Sequence, residues 1–183
     1  MNNMKKKNYL IVIENQHLTE YDLDSKAVWE VGRPATGNQP DIRMTSGMVS
    51  RKHGRFQRID GVWFYLDYNT KNGTVFNRSH MDAGFSGRKK PVMLKDGDMF
   101  LFGSKKETME RDKHSLGLFV EKNQDFSWKV IDTSDGETIK VKAGDKIITL
   151  RNSEAGTVIE EKDGMAIYMG NRTYVAGDIQ LQV

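Results

Sequence analysis

Short runs of branched and aromatic residues recur along most of the chain, and residues that favour turns separate them. The runs are NYLIVIE, WFYLDY, TVFN, PVMLK, MFLFG, LGLFVE, WKVID, TIKVK, KIITL, GTVIEE, MAIYMG and RTYVA. The turn signals are Ile59-Asp60-Gly61, Lys71-Asn72-Gly73, Lys95-Asp96-Gly97-Asp98, Ser134-Asp135-Gly136 and Lys162-Asp163-Gly164. Short strands about 8–12 residues apart, without an amphipathic helical pattern between them, predict an all-β protein built as a sandwich or a barrel.

Polar segments interrupt this pattern at three places. Residues 78–90 (RSHMDAGFSGRKK) and 103–115 (GSKKETMERDKHS) are predicted to be loops between strands. Residues 121–126 (EKNQDF) are a candidate joint between two domains, because the charge changes sign there and several further strands follow.

Composition places the chain among folded, soluble proteins. Apolar residues make up 37% of its 183 residues and charged residues 29%, which is typical of a globular core with a charged surface. No apolar run approaches the roughly 20 residues that cross a bilayer. We interpret the start, MNNMKKKNYLIVI, as a basic tail leading into a strand rather than as a signal peptide. The chain has no cysteine, which excludes disulfides and thiol nucleophiles and suits a reducing, cytoplasmic setting.

Charge is unevenly distributed around a net value of +3. Residues 123–183 contain 7 Lys+Arg and 10 Asp+Glu, whereas the preceding residues contain 21 and 15. The first two-thirds of the chain are therefore basic, which favours acidic partners such as phosphorylated proteins, nucleic acid or a membrane face. Solvated lysines with no specific partner are the alternative interpretation.

The stretch Val49–Gly54 (VSRKHG) brings a serine close to a histidine, as a hydrolase would require. A serine nucleophile needs a histidine within hydrogen-bond reach and a carboxylate that orients it. If the stretch is extended, Ser50 and His53 point to opposite faces, and the glycine-flanked elbow of serine hydrolases is missing. We therefore predict no catalytic residues. Asp96-Gly97-Asp98 is predicted to be a hairpin turn rather than a metal site, and no cofactor is indicated.

The same stretch also has the residue types of an anion site. A phosphate is held by several donors that converge from different parts of a fold, with a guanidinium among them. Ser50, Arg51 and Lys52 could supply such donors, together with Arg33 and the turn at 69–74. Because a sandwich gathers its loops at two ends, these loops could meet. From residue types alone, three unrelated surface turns remain an equal alternative.

Five short motifs in order resemble the forkhead-associated (FHA) domain. They are Gly32-Arg33, Asp41-Ile42, Val49-Ser50-Arg51-Lys52-His53, Asn72-Gly73-Thr74 and Leu94-Lys95-Asp96-Gly97-Asp98. The resemblance implies an FHA-like two-sheet β-sandwich over residues 8–122, preceded by a basic tail (1–7) and followed by a small C-terminal β unit (123–183) of unknown role. It also implies a module without catalytic activity that binds phosphothreonine peptides through loops at one end.

The resemblance assigns ligand contacts to particular positions. Arg33 would hold the phosphate and Ser50 would donate its hydroxyl to it. Arg51 and Lys71 stand where the family often adds further contacts. Asn72 would hydrogen-bond the main chain of the peptide.

Other matching positions would have supporting roles. Gly32, Gly73 and Thr74 would shape the turns, and His53 would brace the loops from inside. Met48, two places before the serine, stands where some relatives select the third residue after the phosphothreonine, and it predicts an apolar preference there.

The leading prediction is therefore a phosphothreonine-peptide binding module whose partner is the substrate of a Ser/Thr kinase. The first alternative keeps the sandwich without the phosphate, as a phospho-independent scaffold or a subunit of a larger secretion or envelope assembly that binds through a sheet face. We rank nucleic-acid binding last, because no aromatic residues are interleaved with the basic runs.

Overall fold

A computed structural model describes residues 6–77, 79–80, 91–104, 115–122, 127–132, 138–151, 156–161, 164–170 and 172–182. These residues form strands and one short 3-10 turn, Leu23–Ser25, which confirms the all-β sandwich prediction. The chain divides into two compact units, Met1–Gln124 and Asp125–Val183.

The first unit contains two sheets. Its strands are β1 (Lys7–Glu14), β2 (His17–Asp22), β3 (Val28–Gly32), β4 (Ile42–Arg43), β5 (Gly54–Ile59), β6 (Val62–Asp67), β7 (Thr74–Phe76), β8 (Ser79–His80), β9 (Val92–Met93), β10 (Met99–Phe102) and β11 (Ser115–Lys122). One sheet has the order β2-β1-β11-β10-β7-β8 and the other has the order β4-β3-β5-β6-β9. Neighbouring strands are antiparallel except β3 and β4, which are parallel.

Residues from both sheets form one buried core. Leu10 and Val12 of the first sheet and Phe56 and Tyr65 of the second belong to the same cluster. At its centre the ring centroids of Phe56 and Phe100 lie 5.4 Å apart in an edge-to-face arrangement. Such a pair stabilises the fold by more than the burial of its surface alone. Each fully buried large apolar side chain contributes about 1.5–3 kcal/mol, so this core is what fixes the loops at the ends of the sandwich.

Turn residues behave as the sequence predicts where the structure describes them. Ile59 and Val62 are opposite each other, so β5 and β6 are joined by the two residues Asp60 and Gly61. Both have positive φ, 50° and 78°, as the twist of a tight hairpin requires. In the turn before β10, the Asp98 carboxylate accepts the backbone N–H of Lys95 at 2.7 Å. This turn joins β9 and β10, which belong to different sheets, so the prediction of a turn at Asp96-Gly97-Asp98 is right but the prediction of a hairpin is wrong.

The predicted loops are described only in part. Ser79–His80 pairs with β7, so the loop prediction for residues 78–90 is wrong at these two positions. Residues 81–90 and 105–114 lie outside the described residues.

The second unit is also a pair of sheets. Its strands are β12 (Trp128–Asp132), β13 (Ile139–Ala143), β14 (Lys146–Leu150), β15 (Thr157–Glu161), β16 (Gly164–Tyr168), β17 (Arg172–Gly177) and β18 (Gln180–Gln182). The sheets have the orders β12-β17-β16-β15 and β14-β13-β18. Val141 and Leu150 of one sheet and Ala166, Tyr168 and Val175 of the other share one buried cluster, so this unit has its own apolar core.

Candidate functional site at one end of the first sandwich

Backbone hydrogen bonds join the residues after β3 to the loop between β4 and β5. The Arg33 N–H donates to the Ser50 carbonyl at 3.0 Å, and the His53 N–H donates to the Val31 carbonyl at 2.9 Å. The chain segment that carries the predicted phosphate-binding arginine is therefore held against the segment that carries the predicted serine.

The Arg33 side chain is anchored by one of its nitrogens. Its Nε donates to the Val49 carbonyl at 3.0 Å, and the side chain is half-buried. Within the described residues, its two terminal amino groups have no hydrogen-bond partner. A guanidinium fixed through Nε presents these two groups as a planar fork suited to bidentate contact with an oxyanion.

His53 supports the serine from beneath through a buried hydrogen-bond chain. The Ser50 N–H donates to His53 Nδ1 at 3.1 Å. Because Nδ1 accepts, the ring proton lies on Nε2, which donates to Thr74 Oγ1 at 2.8 Å. The Thr74 hydroxyl then donates to Asp67 Oδ1 at 2.7 Å, and the Tyr65 hydroxyl donates to the same oxygen at 2.9 Å.

The environment of His53 favours its neutral form. Burial is the largest influence and lowers its pKa, while the Asp67 carboxylate and a hydrogen bond with the Gly73 backbone act in the opposite direction without overcoming it. The side chain has 0% relative exposure. A neutral ring can accept from Ser50 and donate to Thr74 at the same time, which a doubly protonated ring cannot do.

The extended conformation under which Ser50 and His53 would point to opposite faces is not present. Residues 50–53 bend instead of extending, and the imidazole therefore meets the backbone N–H of Ser50 at 3.1 Å. It does not activate the Ser50 hydroxyl, which has no hydrogen-bond partner within the described part of the chain. Ser50 as a residue is only half-buried, so its hydroxyl can serve a ligand.

The turn before β7 completes the site. Asn72 Nδ2 donates to the Met48 carbonyl at 3.0 Å. It therefore joins this turn to residues 44–53 between β4 and β5, which we call the serine loop. The Gly103 N–H donates to the Gly73 carbonyl at 2.9 Å. Lys71 is exposed beside them. The structure thus brings Arg33, Ser50, Arg51, Lys71 and Asn72 to the same end of the sandwich.

Close backbone contact explains why glycine stands at position 32. A Cβ atom there would lie 1.9 Å from the Arg51 carbonyl oxygen. The two loops can therefore approach each other only if residue 32 has no side chain. Gly103 has a similar role at the other side of the site, because its Cβ would lie 2.8 Å from the Met48 carbonyl atoms.

Two polar residues that belong to none of the sequence motifs hold the loops in place. Asn38 Nδ2 donates to the Arg33 carbonyl at 3.0 Å and to the Arg51 carbonyl at 2.7 Å. At the β1 end, Glu14 accepts from the Thr45 N–H and hydroxyl, each at 2.6 Å, and from the Ser46 N–H at 3.0 Å.

The pKa of Glu14 reflects these contacts. Burial acts to raise its pKa, but the hydrogen bonds from Ser115, Thr45 and Ser46 together outweigh burial and lower it below the ordinary value. Glu14 is therefore charged at neutral pH and holds the start of the serine loop by charge-assisted bonds.

Neither metal ligation nor membrane crossing is indicated by the described residues. They contain no group of three or more His, Cys, Asp and Glu side chains placed to hold a metal ion. None of the helical structure they form is long and apolar enough to cross a membrane.

The fold and the loop arrangement define an FHA-type β-sandwich, and comparison with known proteins agrees. The family model of the FHA domain matches residues 29–103. This segment of the chain is therefore an FHA domain, as the resemblance predicted.

Individual relatives support the same assignment. An FHA domain-containing protein of Arabidopsis thaliana is 26% identical over 142 residues, which cover 78% of this chain and 32% of that protein. The chain thus spans about a third of the length of this curated relative.

Solved structures of the yeast splicing factor Pml1 have the same fold. One, determined with its integration into the RES complex, has a TM-score of 0.51 and 19% identity, and the match covers 66% of this chain and 84% of that chain. Another, of full-length Pml1p, has a TM-score of 0.51 and 20% identity, with 63% and 82% covered. At this level of identity the likeness concerns the fold alone.

Proposed function

We propose that the FHA domain of this chain binds phosphothreonine in partner proteins and so mediates phosphorylation-dependent protein–protein interactions. The observation that carries the proposal is the placement of Arg33 and Ser50. The Arg33 guanidinium is fixed through Nε to the Val49 carbonyl, and Ser50, the next residue, offers a hydroxyl that the protein itself does not use. The two donors therefore belong to backbone segments that are hydrogen-bonded to each other, which supports a shared role in binding one phosphate.

Each residue has a distinct part in this proposal. Arg33 supplies the two terminal amino groups for the phosphate, and Ser50 supplies a hydroxyl donor. Arg51 and Lys71, both exposed, add positive charge around the phosphate. Asn72 donates to the Met48 carbonyl through its nitrogen, which leaves its side-chain oxygen to accept a main-chain N–H of the peptide.

The energies are sufficient for a reversible signalling interaction. Phosphothreonine carries about −1.5 to −2 charges at pH 7, and each charge-assisted hydrogen bond contributes about 1.5–3 kcal/mol. Three such bonds account for most of the roughly −8 kcal/mol of a micromolar complex. The excess of basic residues before position 123 increases the rate of encounter with a dianionic peptide.

In this proposal the protein recognises a modification without performing chemistry. FHA domains are binding modules, and the partner would be phosphorylated beforehand by a Ser/Thr kinase. A cytoplasmic location remains a prediction of the sequence, as does a separate role for residues 123–183.

Titration with matched peptides tests the proposal. Phosphothreonine, phosphoserine and unmodified versions of one peptide are titrated against the full chain and the Arg33→Ala and Ser50→Ala variants. We expect phosphothreonine to bind most tightly and each substitution to weaken binding at least tenfold. Arg58→Ala is the matched control. The substitution removes the same charge as Arg33→Ala, and Arg58 lies at the end of β5 that is away from Ser50.

Two outcomes would overturn the proposal. One is equal binding of phosphorylated and unmodified peptides. The other is an Arg33→Ala variant that binds as tightly as the original chain while Arg58→Ala behaves in the same way. Circular dichroism of each variant shows whether the sandwich is intact.

One observation favours the phospho-independent scaffold as a second candidate. The outer face of the β4-β3-β5-β6-β9 sheet exposes Val28, Ile59, Val62 and Met93, at 39%, 47%, 38% and 54%. Pairing places Met93 beside Phe64 and Ile59 beside Val62 on this face, while the polar Gln57 lies between Phe64 and Val28. Partner binding that survives Arg33→Ala but is lost with Met93→Glu would support this function.

A further inference from the structure

A cleft of about 510 Å³ opens beside the serine loop, and Arg51 is the one residue of the proposed phosphate site that lines it. The buried residues Val31 and Pro40 form part of its wall. Asn38, Arg51, Lys52 and Tyr68 line it as well. Because Arg51 and Lys52 directly follow Ser50, while Met48 precedes it, the cleft and Met48 lie on opposite sides of Ser50 along the loop.

The cleft carries unbalanced positive charge. Arg51 and Lys52 are both exposed, and neither side chain forms an ion pair with any other described residue. The acidic group in the wall is Glu30, whose two carboxylate oxygens accept from the Tyr68 hydroxyl at 2.7 and 3.0 Å. Burial, followed by this hydrogen bond, raises the pKa of Tyr68 to about 12, so the hydroxyl remains a donor to Glu30.

The wall of the cleft is attached to the backbone that positions Arg33. Asn38 holds the carbonyls of Arg33 and Arg51 together, and the Tyr68 N–H donates to the His53 carbonyl at 3.0 Å. The cleft therefore has a fixed position relative to the phosphate donors. An extended peptide advances about 3.3 Å per residue, so a residue within three positions of an anchored phosphothreonine can reach it.

We propose that this cleft is a second anion subsite, which binds an anionic side chain that flanks the phosphothreonine. Lys52 is the residue that determines this preference, and Arg51 contributes to both subsites. The shared chemistry is an oxyanion, carried by an aspartate or glutamate or by a second phosphorylated residue. The inference rests on the proposed function, because the phosphothreonine anchors the peptide.

The size of the effect follows from the exposure of Lys52. An exposed ion pair contributes modestly and is screened by salt. We therefore expect an acidic residue on the favoured flank to tighten binding about threefold to fivefold relative to alanine, and phosphoserine there to tighten it further. The preference should weaken as the salt concentration rises.

Anisotropy titrations with a peptide series test this subsite in the full chain. Each peptide contains phosphothreonine and one variable residue, placed in turn at the three positions before and after it, and an unphosphorylated threonine version of the alanine peptide is the reference. That residue is alanine, glutamate, lysine or phosphoserine. The proteins are the original chain, Lys52→Glu and Lys95→Glu. Lys95 is the matched control because it lies away from the serine loop. Gly103, which follows β10, contacts that loop, whereas Lys95 lies in the turn before β10, at the other end of the strand.

The original chain should prefer glutamate to lysine on one flank, Lys52→Glu should reverse that preference, and Lys95→Glu should retain it. A glutamate effect assigns the subsite to carboxylates, and an effect of phosphoserine alone assigns it to a second phosphate. If phosphothreonine peptides bind but show no charge preference on either flank, or if both variants shift it equally, the subsite is refuted while the proposed function stands. If phosphothreonine binds no better than threonine, both are refuted.

Discussion

The Nδ1 atom of His53 lies 3.1 Å from the backbone nitrogen of Ser50 and accepts its hydrogen. Through this one contact the buried core of the sandwich sets the direction of a loop that is open to solvent. The other side of the imidazole is bonded to Thr74, so the ring joins the loop before β5 to the strand β7.

His53→Phe tests this support. Phenylalanine keeps a flat ring but removes the acceptor of the Ser50 N–H and the donor to the Thr74 hydroxyl, which keeps its own bond to Asp67. A donor left without a partner costs about 1–3 kcal/mol, and we expect the free energy of unfolding to fall by about this amount in urea titration. Phosphopeptide affinity should fall as well. His17→Phe, at an exposed position at the start of β2, should change neither; a His53→Phe variant as stable as the original chain would contradict the proposed support.

The pH dependence of stability should show the same histidine. Burial holds the pKa of His53 below its ordinary value of 6.5 in the folded state, so the unfolded chain binds more protons once the pH falls below 6.5. The stabilisation is therefore fully present above pH 6.5 and is lost progressively as the pH falls towards the folded pKa. Urea midpoints measured from pH 8 to 5 should fall below pH 6.5. This part of the decrease should be absent in His53→Phe, and an identical decrease in both proteins would contradict the assignment.

Glu14→Gln tests whether the Glu14 carboxylate anchors the first half of the serine loop, at Thr45 and Ser46. Glutamine has the same shape but loses the charge-assisted bonds to Thr45 and Ser46. Because the carboxyl is partly exposed, solvent reduces the effect, and we expect a loss of about 1 kcal/mol at pH 7. The folded pKa of Glu14 is lowered, so this contribution is present above its unfolded pKa of 4.5 and disappears as the pH falls through the folded value.

Urea titration of this variant at pH 7 and at pH 3.5 measures the difference. Asp145→Asn, which removes an exposed carboxylate from the second unit, is the control and should have no effect at either pH. A Glu14→Gln penalty that is equal at both pH values would show that shape rather than charge matters.

Two glycines with positive φ separate backbone strain from steric contact. Gly61 and Gly103 have φ of 78° and 83°, but a Cβ meets nothing within 4 Å at Gly61 and lies 2.8 Å from Met48 backbone atoms at Gly103. Gly61→Ala should cost about 1 kcal/mol through φ alone. Gly103→Ala should cost more and should also weaken phosphopeptide binding, because it displaces the Met48 turn. Thermal unfolding and peptide titration of both variants check this, and equal losses would contradict the steric explanation.

The sequence predicts most strands because their apolar residues are concentrated in short runs. WKVID and KIITL coincide with β12 and β14. Strand β5, GRFQRI, has no such run. Phe56 is its only large buried side chain, and Gly54 lies against the ring of Tyr65. A strand whose buried face depends on a glycine and a neighbouring tyrosine has no hydrophobic pattern of its own.

The candidate site is divided in the same way. Arg33, Ser50 and Asn72 stand in short motifs, so a resemblance can indicate them. Glu14 has no motif, and its contact with Ser115 joins residues 101 positions apart. Asn38 acts through two main-chain carbonyls, which any sequence supplies. Such contacts depend on how the loops meet, and local residue types do not encode that.

Ser50 takes part in the architecture through its amide, whereas the proposed function uses its hydroxyl, and these are separate atoms of one residue. Exchanging serine for alanine leaves the amide in place. Under the proposed function, a cell that carries this exchange would make a normally folded protein with weakened phosphothreonine binding, so a phenotype would report lost signalling and not lost protein. The exchange would then be a genetic tool for tracing the interactions in which this chain takes part.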